Sequence, residues 1–346
     1  MEELLVIADP SRRAWIKRLL DLGHAVSRRV RLVQSTGSDL AEVVGMQSGD
    51  TIYAIDRHVE PVIRDEIEAW SADLLPLIVI AEGMGDSGML RFCGQEQGPV
   101  KFVVMIDPID GSRNIMYDKR SAWFIATVAP YAGREVRLCD AIASVMVELP
   151  TQREVFSRRF FAGTNPGEIG MITHNELGIT RQLPGIRPST AITIRDGFAQ
   201  VSNFFPGTKQ LASELMERIV LRTLGGSVIP GSSLVFDDQY ISSGGQMVEL
   251  MLGHDRFCCD LRPLFYRIIK RATDTAVRGL ECHPYDVGGL LIAQRAGVII
   301  TDGFGQPLNP IMSVDTPVHW CGYANQALQN RIEPVIQEWL QEKGIN

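Results

Sequence analysis

The segment Val103-Val104-Met105-Ile106-Asp107-Pro108-Ile109-Asp110-Gly111-Ser112-Arg113-Asn114 holds the densest chemistry in the chain. An apolar, β-rich run ends on Asp107. Pro108 has no N–H for a strand ladder, so the chain is expected to turn at once. Asp110 follows three residues on, and Gly111 permits tight backbone geometry. Two carboxylates thus leave a buried strand together. Like charges brought close raise each other's energy unless a cation sits between them. Their oxygens, with the backbone carbonyl of Ile109, are hard ligands that suit Mg²⁺. A helix starting near Ser112 would point its first N–H groups at a phosphate. A lone Asp-Pro or Asp-Gly pair usually marks only a turn. The whole unit after an apolar run is far more specific.

The elements that must position this segment are read from periodicity. Residues 11–33 read as a helix with Trp15, Leu19, Leu22 and Val26 on one side. Residues 56–70 read as a second helix with Val59, Ile63 and Ile67 at helical spacing. Short β-rich runs follow at 77–81, 101–106, 123–129, 141–149 and 154–161. The stretch 162–190 has Pro and Gly but no clear period, and reads as a junction between two lobes, 1–185 and 186–346. Helices are expected at 208–222, 244–252 and 287–296, the last leading into a strand at 298–301. The fold class is mixed α/β (α+β).

Composition narrows the function. The 346 residues are 45% hydrophobic and 22% charged, enough for a large core in one or two domains. The net charge of −7 and the absence of any Lys/Arg run argue against nucleic acid as a partner. An acidic protein still binds a small phosphate if metal ions reverse the local sign. Six scattered cysteines without a Cys-x-x-Cys pair fit a reducing cytoplasm, and all six read as buried small hydrophobes. The first fifteen residues have no apolar signal region, and the longest uncharged apolar stretch, 121–133, is too short to span a bilayer. A cytoplasmic protein with no membrane partner is expected.

The Asp107–Asn114 segment resembles the D-P-[IL]-D-G-[TS]-x-N motif of the inositol monophosphatase and fructose-1,6-bisphosphatase superfamily. Gly49-Asp50-Thr51-Ile52-Tyr53-Ala54-Ile55-Asp56 resembles the D-x-x-T-x-x-D stretch of that family, and Ile78–Gly83 its strand ending in G-E-E. His283-Pro284-Tyr285-Asp286-Val287-Gly288-Gly289, then Ala296–Gly303, resembles W-D-x-A-A-G…E-A-G-G-x-V-T-D. Tyr240–Gly245 resembles a substrate-contacting loop and helix start. Asp255–Arg262 resembles the D-A-[FY]-x-[DE]-x-R strand of archaeal-type members. Taken alone, Asp260 and Arg262 read as a solvated strand end.

The resemblance implies a layered α-β-α-β-α sandwich with a site between its lobes. It implies Mg²⁺-dependent phosphomonoester hydrolysis, with fructose 1,6-bisphosphate, inositol monophosphates and adenosine 3′,5′-bisphosphate all open as substrates. One ion would be held by Glu82, Asp107 and the Ile109 carbonyl, and a second by Asp107, Asp110 and Asp286. A third, weaker ion would bind near Glu82, and Mn²⁺ could substitute. Glu82, Ser112 and Asp56 would be catalytic, with Ser112 orienting the water and Asp56 polarising it. Asp110, Gly111, Ser112, Ser242, Ser243, Asp260 and Arg262 would contact the substrate, a small phosphorylated metabolite. A homo-oligomer, dimer or tetramer, is implied as well.

The chain departs from the family pattern. Gly83 stands where the second glutamate is usual, Tyr285 where tryptophan is usual, and Arg295 where glutamate is usual. An insertion with a basic stretch at 266–278 separates Asp260 from Asp286. His283 reads as structural, because its spacing to other histidines fits no zinc site.

Two other readings stand beside this one. Gly83-x-Gly85-x-x-Gly88 after an apolar strand outlines a dinucleotide-binding fingerprint, which would require a helix directly after the glycines. A non-catalytic regulatory protein on the same fold is the other.

Overall fold

A computed structural model of the chain describes residues 2–36, 40–47, 50–70, 74–84, 88–94, 98–175, 185–274 and 279–345. Gly49 and Gly85 of the motifs above, and part of the basic stretch, lie outside the described residues. In chain order the elements are α1 (Pro10–Ser35), β1 (Val43–Gln47), β2 (Asp50–Tyr53), α2 (Ala54–Glu68), β3 (Leu77–Ala81), β4 (Met89–Phe92), β5 (Phe102–Asp110), α3 (Ser112–Met116), β6 (Ala122–Pro130), β7 (Ala143–Leu149), β8 (Phe156–Gly163) and β9 (Ile169–Asn175). There follow β10 (Gly197–Val201), α4 (Lys209–Leu224), β11 (Val235–Phe236), α5 (Ser243–Met251), β12 (Asp255–Asp260), α6 (Arg262–Thr273), α7 (Leu290–Ala296), β13 (Ile299–Thr301), β14 (Trp320–Tyr323) and α8 (Gln326–Glu342).

The chain divides into two compact units. The first holds residues 1–183, 283–295 and 309–316, and the second holds the rest. A single cut at residue 185 would assign Asp286 to the second unit. Residues 283–295 instead pack with the first, because their backbone is hydrogen-bonded to its sheet.

The first unit is built on a seven-stranded sheet, ordered β4-β3-β5-β6-β7-β8-β9. Only the β3/β5 pair is parallel. Asp9 caps α1 by accepting N–H bonds from Ser11 and Arg12, and Pro10 opens the helix. Trp15, Leu19 and Val26 of α1 pack with Ile55, Val59, Ile63 and Ile67 of α2 against Phe124, Ala126, Val145 and Val147 of the sheet. Residues of opposite parity, Thr127 and Ser144, face the 283–295 segment. Their hydroxyls reach the Gly288 carbonyl at 2.5 and 2.7 Å. With both faces covered, β6 and β7 are buried almost throughout, which is why they read as unbroken apolar runs.

The second unit carries a five-stranded mixed sheet, β11-β10-β12-β14-β13. Ser242 caps α5, and α4 and α8 are tied by Arg218–Glu342 and Arg222–Glu338 ion pairs.

Three expectations need correction. The chain does not turn at Pro108, because β5 runs on to Asp110. The stretch 162–190 contains β9, whose residues are all partly exposed and therefore show no alternation. Cys139 is exposed and Cys93 partly so, and only the other four cysteines are buried.

Candidate active site

The ladder between β5 and β6 explains how Asp107 and Asp110 come together. Asp107 pairs with Ile125, and Asp110 with Trp123. Three steps on β5 thus oppose two on β6, so the Pro108-Ile109 step is a β-bulge. In a regular strand, residues three apart point to opposite faces. The one extra residue cancels that inversion, and a bulge also tolerates a proline whose N–H would be missed in the ladder. Both carboxylates consequently share a side with Ile125 and Thr127, where the 283–295 segment lies. Asp286 arrives on that segment.

Ligand oxygens of Asp107, Asp110 and Asp286 all lie within 4.8 Å of one another. Asp107 is 3% exposed and Asp110 5%. Burial pushes the Asp107 carboxyl well above the usual carboxylate range, and Asp110, Asp286 and Glu82 push it further. The Ile109 N–H, 3.0 Å from Asp107 Oδ1, offsets only part of this. Such a cluster is stabilised by a cation, and every donor is an oxygen, so the residues fit Mg²⁺ or Mn²⁺. Glu82 follows directly on β3, whose last residue pairs in parallel with Ile106. Gly83 adopts φ +72°, a backbone conformation that a glutamate there would hold only under strain.

Gly111 takes φ +95° at the cap of the short helix α3. The turn carries Ser112 back, so that its Oγ lies 2.9 Å from the Ile109 carbonyl and 3.1 Å from Asp56 Oδ1. Asp56 sits in the first turn of α2, where its other oxygen accepts the Tyr53 N–H at 2.9 Å. Asp56, Glu82, Asp107 and Ser112 line one cavity. Tyr53, Arg57, Glu60 and Arg113 line it too, and the motif reading did not single them out. Glu60 was accessible from the sequence, since it follows Asp56 by one helical turn. Arg113 occupies the variable position of the motif, so nothing in the pattern marked it.

His283 serves Asp286. Its backbone N–H donates to Asp286 Oδ2 at 2.6 Å. Its ring stacks on Tyr285, and the Tyr285 hydroxyl lies 3.2 Å from His283 Nδ1. Arg295, the other departure, donates to the carbonyls of Gly163 and Thr164 at the end of β8. It is a tie within the first unit.

The remaining predicted residues lie in the second unit. Asp260 and Arg262 are not a solvated strand end. Asp260 is fully buried, and Arg262 grips both of its oxygens through Nε and a terminal N–H. A second guanidinium N–H donates to the Leu280 carbonyl at 3.0 Å, and the group lies over Phe204 and Phe205. A buried carboxylate demands such a partner. Ser242 and Ser243 begin α5 and are buried. Ser242 Oγ accepts the Gly245 N–H, and Ser243 lies 3.4 Å from Cys282 Sγ.

The dinucleotide reading fails on topology. Gly83 lies in the turn after β3, and Gly88 leads into β4, which runs antiparallel to β3. Gly83 and Gly88 flank a β3/β4 hairpin, and among the described residues no helix follows them whose N-terminus could meet a pyrophosphate.

No protein-family model and no curated protein sequence matches the chain. Solved structures do. A fructose-1,6-bisphosphatase from Leishmania major superposes with a TM-score of 0.63 at 12% identity, covering 97% of each chain. The extragenic suppressor protein SuhB from Bartonella henselae gives 0.60 at 14%, covering 94% of this chain and 99% of its own. An inositol monophosphatase (IMPase) from Thermotoga maritima gives 0.54 at 18%, with 95% and 97% covered. The chain therefore has the fold of the inositol monophosphatases and fructose-1,6-bisphosphatases.

Proposed function

We propose that this protein is a Mg²⁺-dependent phosphomonoester hydrolase acting on a small phosphorylated sugar, polyol or nucleotide. The observation that carries the reading is the convergence of buried Asp107 and Asp110 with the partly exposed Asp286, with Asp107 held above its ordinary range by burial and like charge. Structural neighbours named as a fructose-1,6-bisphosphatase and an inositol monophosphatase support it. Glu82, Asp107, Asp110, Asp286 and the Ile109 carbonyl would hold the ions. Bound there, Mg²⁺ supplies charge neutralisation and Lewis acidity at the phosphoryl group.

The chain's own groups do the rest. Ser112 Oγ donates to Asp56 Oδ1, which leaves a lone pair of Oγ for the attacking water; as water's proton passes to Oγ, the Ser112 proton passes on to the Asp56 carboxylate, which later returns it to solvent. The N–H groups of Gly111 and Ser112 take phosphate oxygens. As the water oxygen bonds to phosphorus the phosphorus–ester oxygen bond breaks, and the leaving oxygen keeps that bond's electron pair and takes a proton from solvent. Among the described residues no helix is long and apolar enough to cross a membrane.

Phosphate release from a panel of sugar, polyol and nucleotide phosphates, with Mg²⁺, with Mn²⁺ and with excess EDTA, tests the reading. Turnover of at least one member with either metal, abolished by EDTA, is expected. Full activity in EDTA overturns it.

A further inference from the structure

The insertion between Asp260 and Asp286 carries a basic helix that the carboxylate cavity does not use. Arg267, Lys270 and Arg271 follow one another on α6 at spacings of three and four residues, so they share one face. With Asp274, Gly344 and Ile345 they line a groove of about 560 Å³ in the second unit. Small-molecule sites commonly span about 300–1,000 Å³. One wall is fixed, because Arg271 donates to the Gly344 carbonyl. Gly344 permits that approach: a Cβ there would come within 3.1 Å of the guanidinium, and the backbone holds φ +74°. Helix ends ordinarily draw cations, since their last carbonyls carry a partial negative charge. That accounts for Lys270 and Arg271 in the last turn, but not for Arg267, because the effect fades within one turn. Elsewhere in this unit Arg218 pairs with Glu342, Arg222 with Glu338 and Lys343 with Glu214. Among the described residues neither Arg267 nor Lys270 has a hydrogen bond or an ion pair, and Asp274 is the one acid in the lining. The Glu281 carboxylate interacts first with Arg262 and only then with Arg267.

We propose that this groove is a second anion site, taking a small molecule that bears a diphosphate group. It goes beyond the hydrolase reading and uses none of the residues of the carboxylate cavity. Three cations held on one helix face repel one another, and an anion seated among them relieves that repulsion. Positions 267 and 271 lie one turn apart, about 5–6 Å between Cβ atoms. Two joined phosphates can meet both guanidinium forks from there, whereas a single phosphate engages fewer donors. Arg271 spends one N–H on Gly344 and has others to offer, and Lys270 adds a point charge between the two arginines. In a chain of net charge −7 the local sign is reversed at this groove, which draws an anion here in preference to the rest of the surface.

Calorimetry with inorganic pyrophosphate and orthophosphate on the metal-stripped chain tests the proposal. Without metal the carboxylate cluster repels both anions and adds no binding of its own. A chelating resin removes the metal, because a soluble chelator is itself a polyanion. Pyrophosphate is expected to bind at least about tenfold more tightly than orthophosphate, the scale of one added charge-assisted hydrogen bond. Its affinity should fall as KCl rises. Arg267→Ala and Arg267→Gln should each weaken it by about tenfold, and Arg267→Ala combined with Lys270→Ala should abolish measurable binding. Arg331→Ala, which removes an exposed arginine of α8 outside the groove, should change it by less than about twofold. Thermal melts check folding and give a second readout. Without ligand Arg267→Ala should melt at or above the parent temperature, because a like-charged neighbour is gone. With pyrophosphate the parent should gain and the double variant should not. No pyrophosphate binding by the parent, or equal losses in Arg267→Ala and Arg331→Ala, overturns the proposal. Sedimentation with phosphatidylglycerol vesicles forms the last arm. Vesicle binding that the double variant loses, in a parent that ignores pyrophosphate, would make the groove a membrane contact and overturn the small-molecule site. None of these readouts depends on turnover, so a parent that releases no phosphate from any ester would count against the hydrolase reading alone.

Discussion

Ser112 Oγ lies 3.1 Å from Asp56 Oδ1, joining the turn after β5 to the first turn of α2 across 56 residues of sequence. The pair sits beside the carboxylate cluster but supplies none of its three convergent oxygens. Removing the hydroxyl should leave metal binding alone and damage only the handling of water. Ser112→Ala is expected to lower kcat by roughly 10²-fold or more, the scale of one positioned proton-transfer group, with Mg²⁺ affinity nearly unchanged. Mg²⁺ titration of activity and of thermal stability checks both halves. A matching loss of metal affinity would make Ser112 part of the ligand shell.

Asp110 should behave in the opposite way. Asp107 is held above its ordinary range first by burial and next by Asp110. A folded-state carboxyl raised in this way stabilises the fold below its unfolded pKa and loses that contribution as pH rises through the folded value. At neutral pH without metal, Asp110→Asn removes one member of the repelling set, so the metal-free variant should melt at or above the parent temperature. With saturating Mg²⁺ the parent should gain more than the variant, and kcat of the variant should collapse. A metal-free variant that melts well below the parent, and still turns over, would make Asp110 a turn residue.

How far these residues could be read from sequence depends on what each one needs. Asp107 and Asp110 announce themselves because an apolar run delivers them as one short motif. The bulge that gathers them was hidden, since the rule that proline ends a ladder holds for regular pairing and fails where a bulge leaves the N–H unpaired. β9 was hidden because partial exposure on both faces erases the alternation. The helices α1 and α2 were legible from their one-sided apolar spacing. Asp260 and Arg262 were misread because a charged pair buried together looks, in one dimension, like a charged strand end. Arg113 carried no signal at all until Tyr53 was placed beneath it.

Two residues beyond Asp286 the chain is tied to the sheet by a pair of hydroxyls. Thr127 and Ser144 hold the Gly288 carbonyl, and they lie 2.8 Å from each other. Replacing both, as Thr127→Val with Ser144→Ala, strips the hydroxyls from a buried carbonyl two residues beyond the ligand. Mg²⁺ affinity should fall by about 10-fold or more, the range seen when residues that orient ligands are lost. The fold should lose about 1–3 kcal/mol, the cost of an unsatisfied buried acceptor. Metal titration together with urea unfolding checks this. An unchanged metal affinity in a destabilised variant would separate the hydroxyls from the site and leave them a packing role only.

Glu148 supplies a pH response away from the carboxylate cluster. It lies on β7, 8% exposed, accepting the Arg158 N–H at 2.8 Å and the Ser121 hydroxyl at 3.0 Å. Burial raises its carboxyl from 4.5 to about 7, and the two donors and the Arg158 charge recover only part of the cost of ionising it. The folded value lies above the unfolded one, so the contribution to stability is complete below pH 4.5. It declines as pH rises toward 7 and is gone above it. The whole swing is on the order of 3 kcal/mol. Glu148→Gln keeps the shape and cannot ionise, so its stability should vary less between pH 5 and pH 8 than that of the parent. Relative to the parent, the variant should therefore gain as pH rises across that range. Urea midpoints of parent and variant at both pH values isolate the effect, because every other titrating group is common to the two proteins. A parent–variant difference that stays constant from pH 5 to pH 8 would mean that Glu148 keeps one charge state across the range, and that its two hydrogen bonds outweigh its burial.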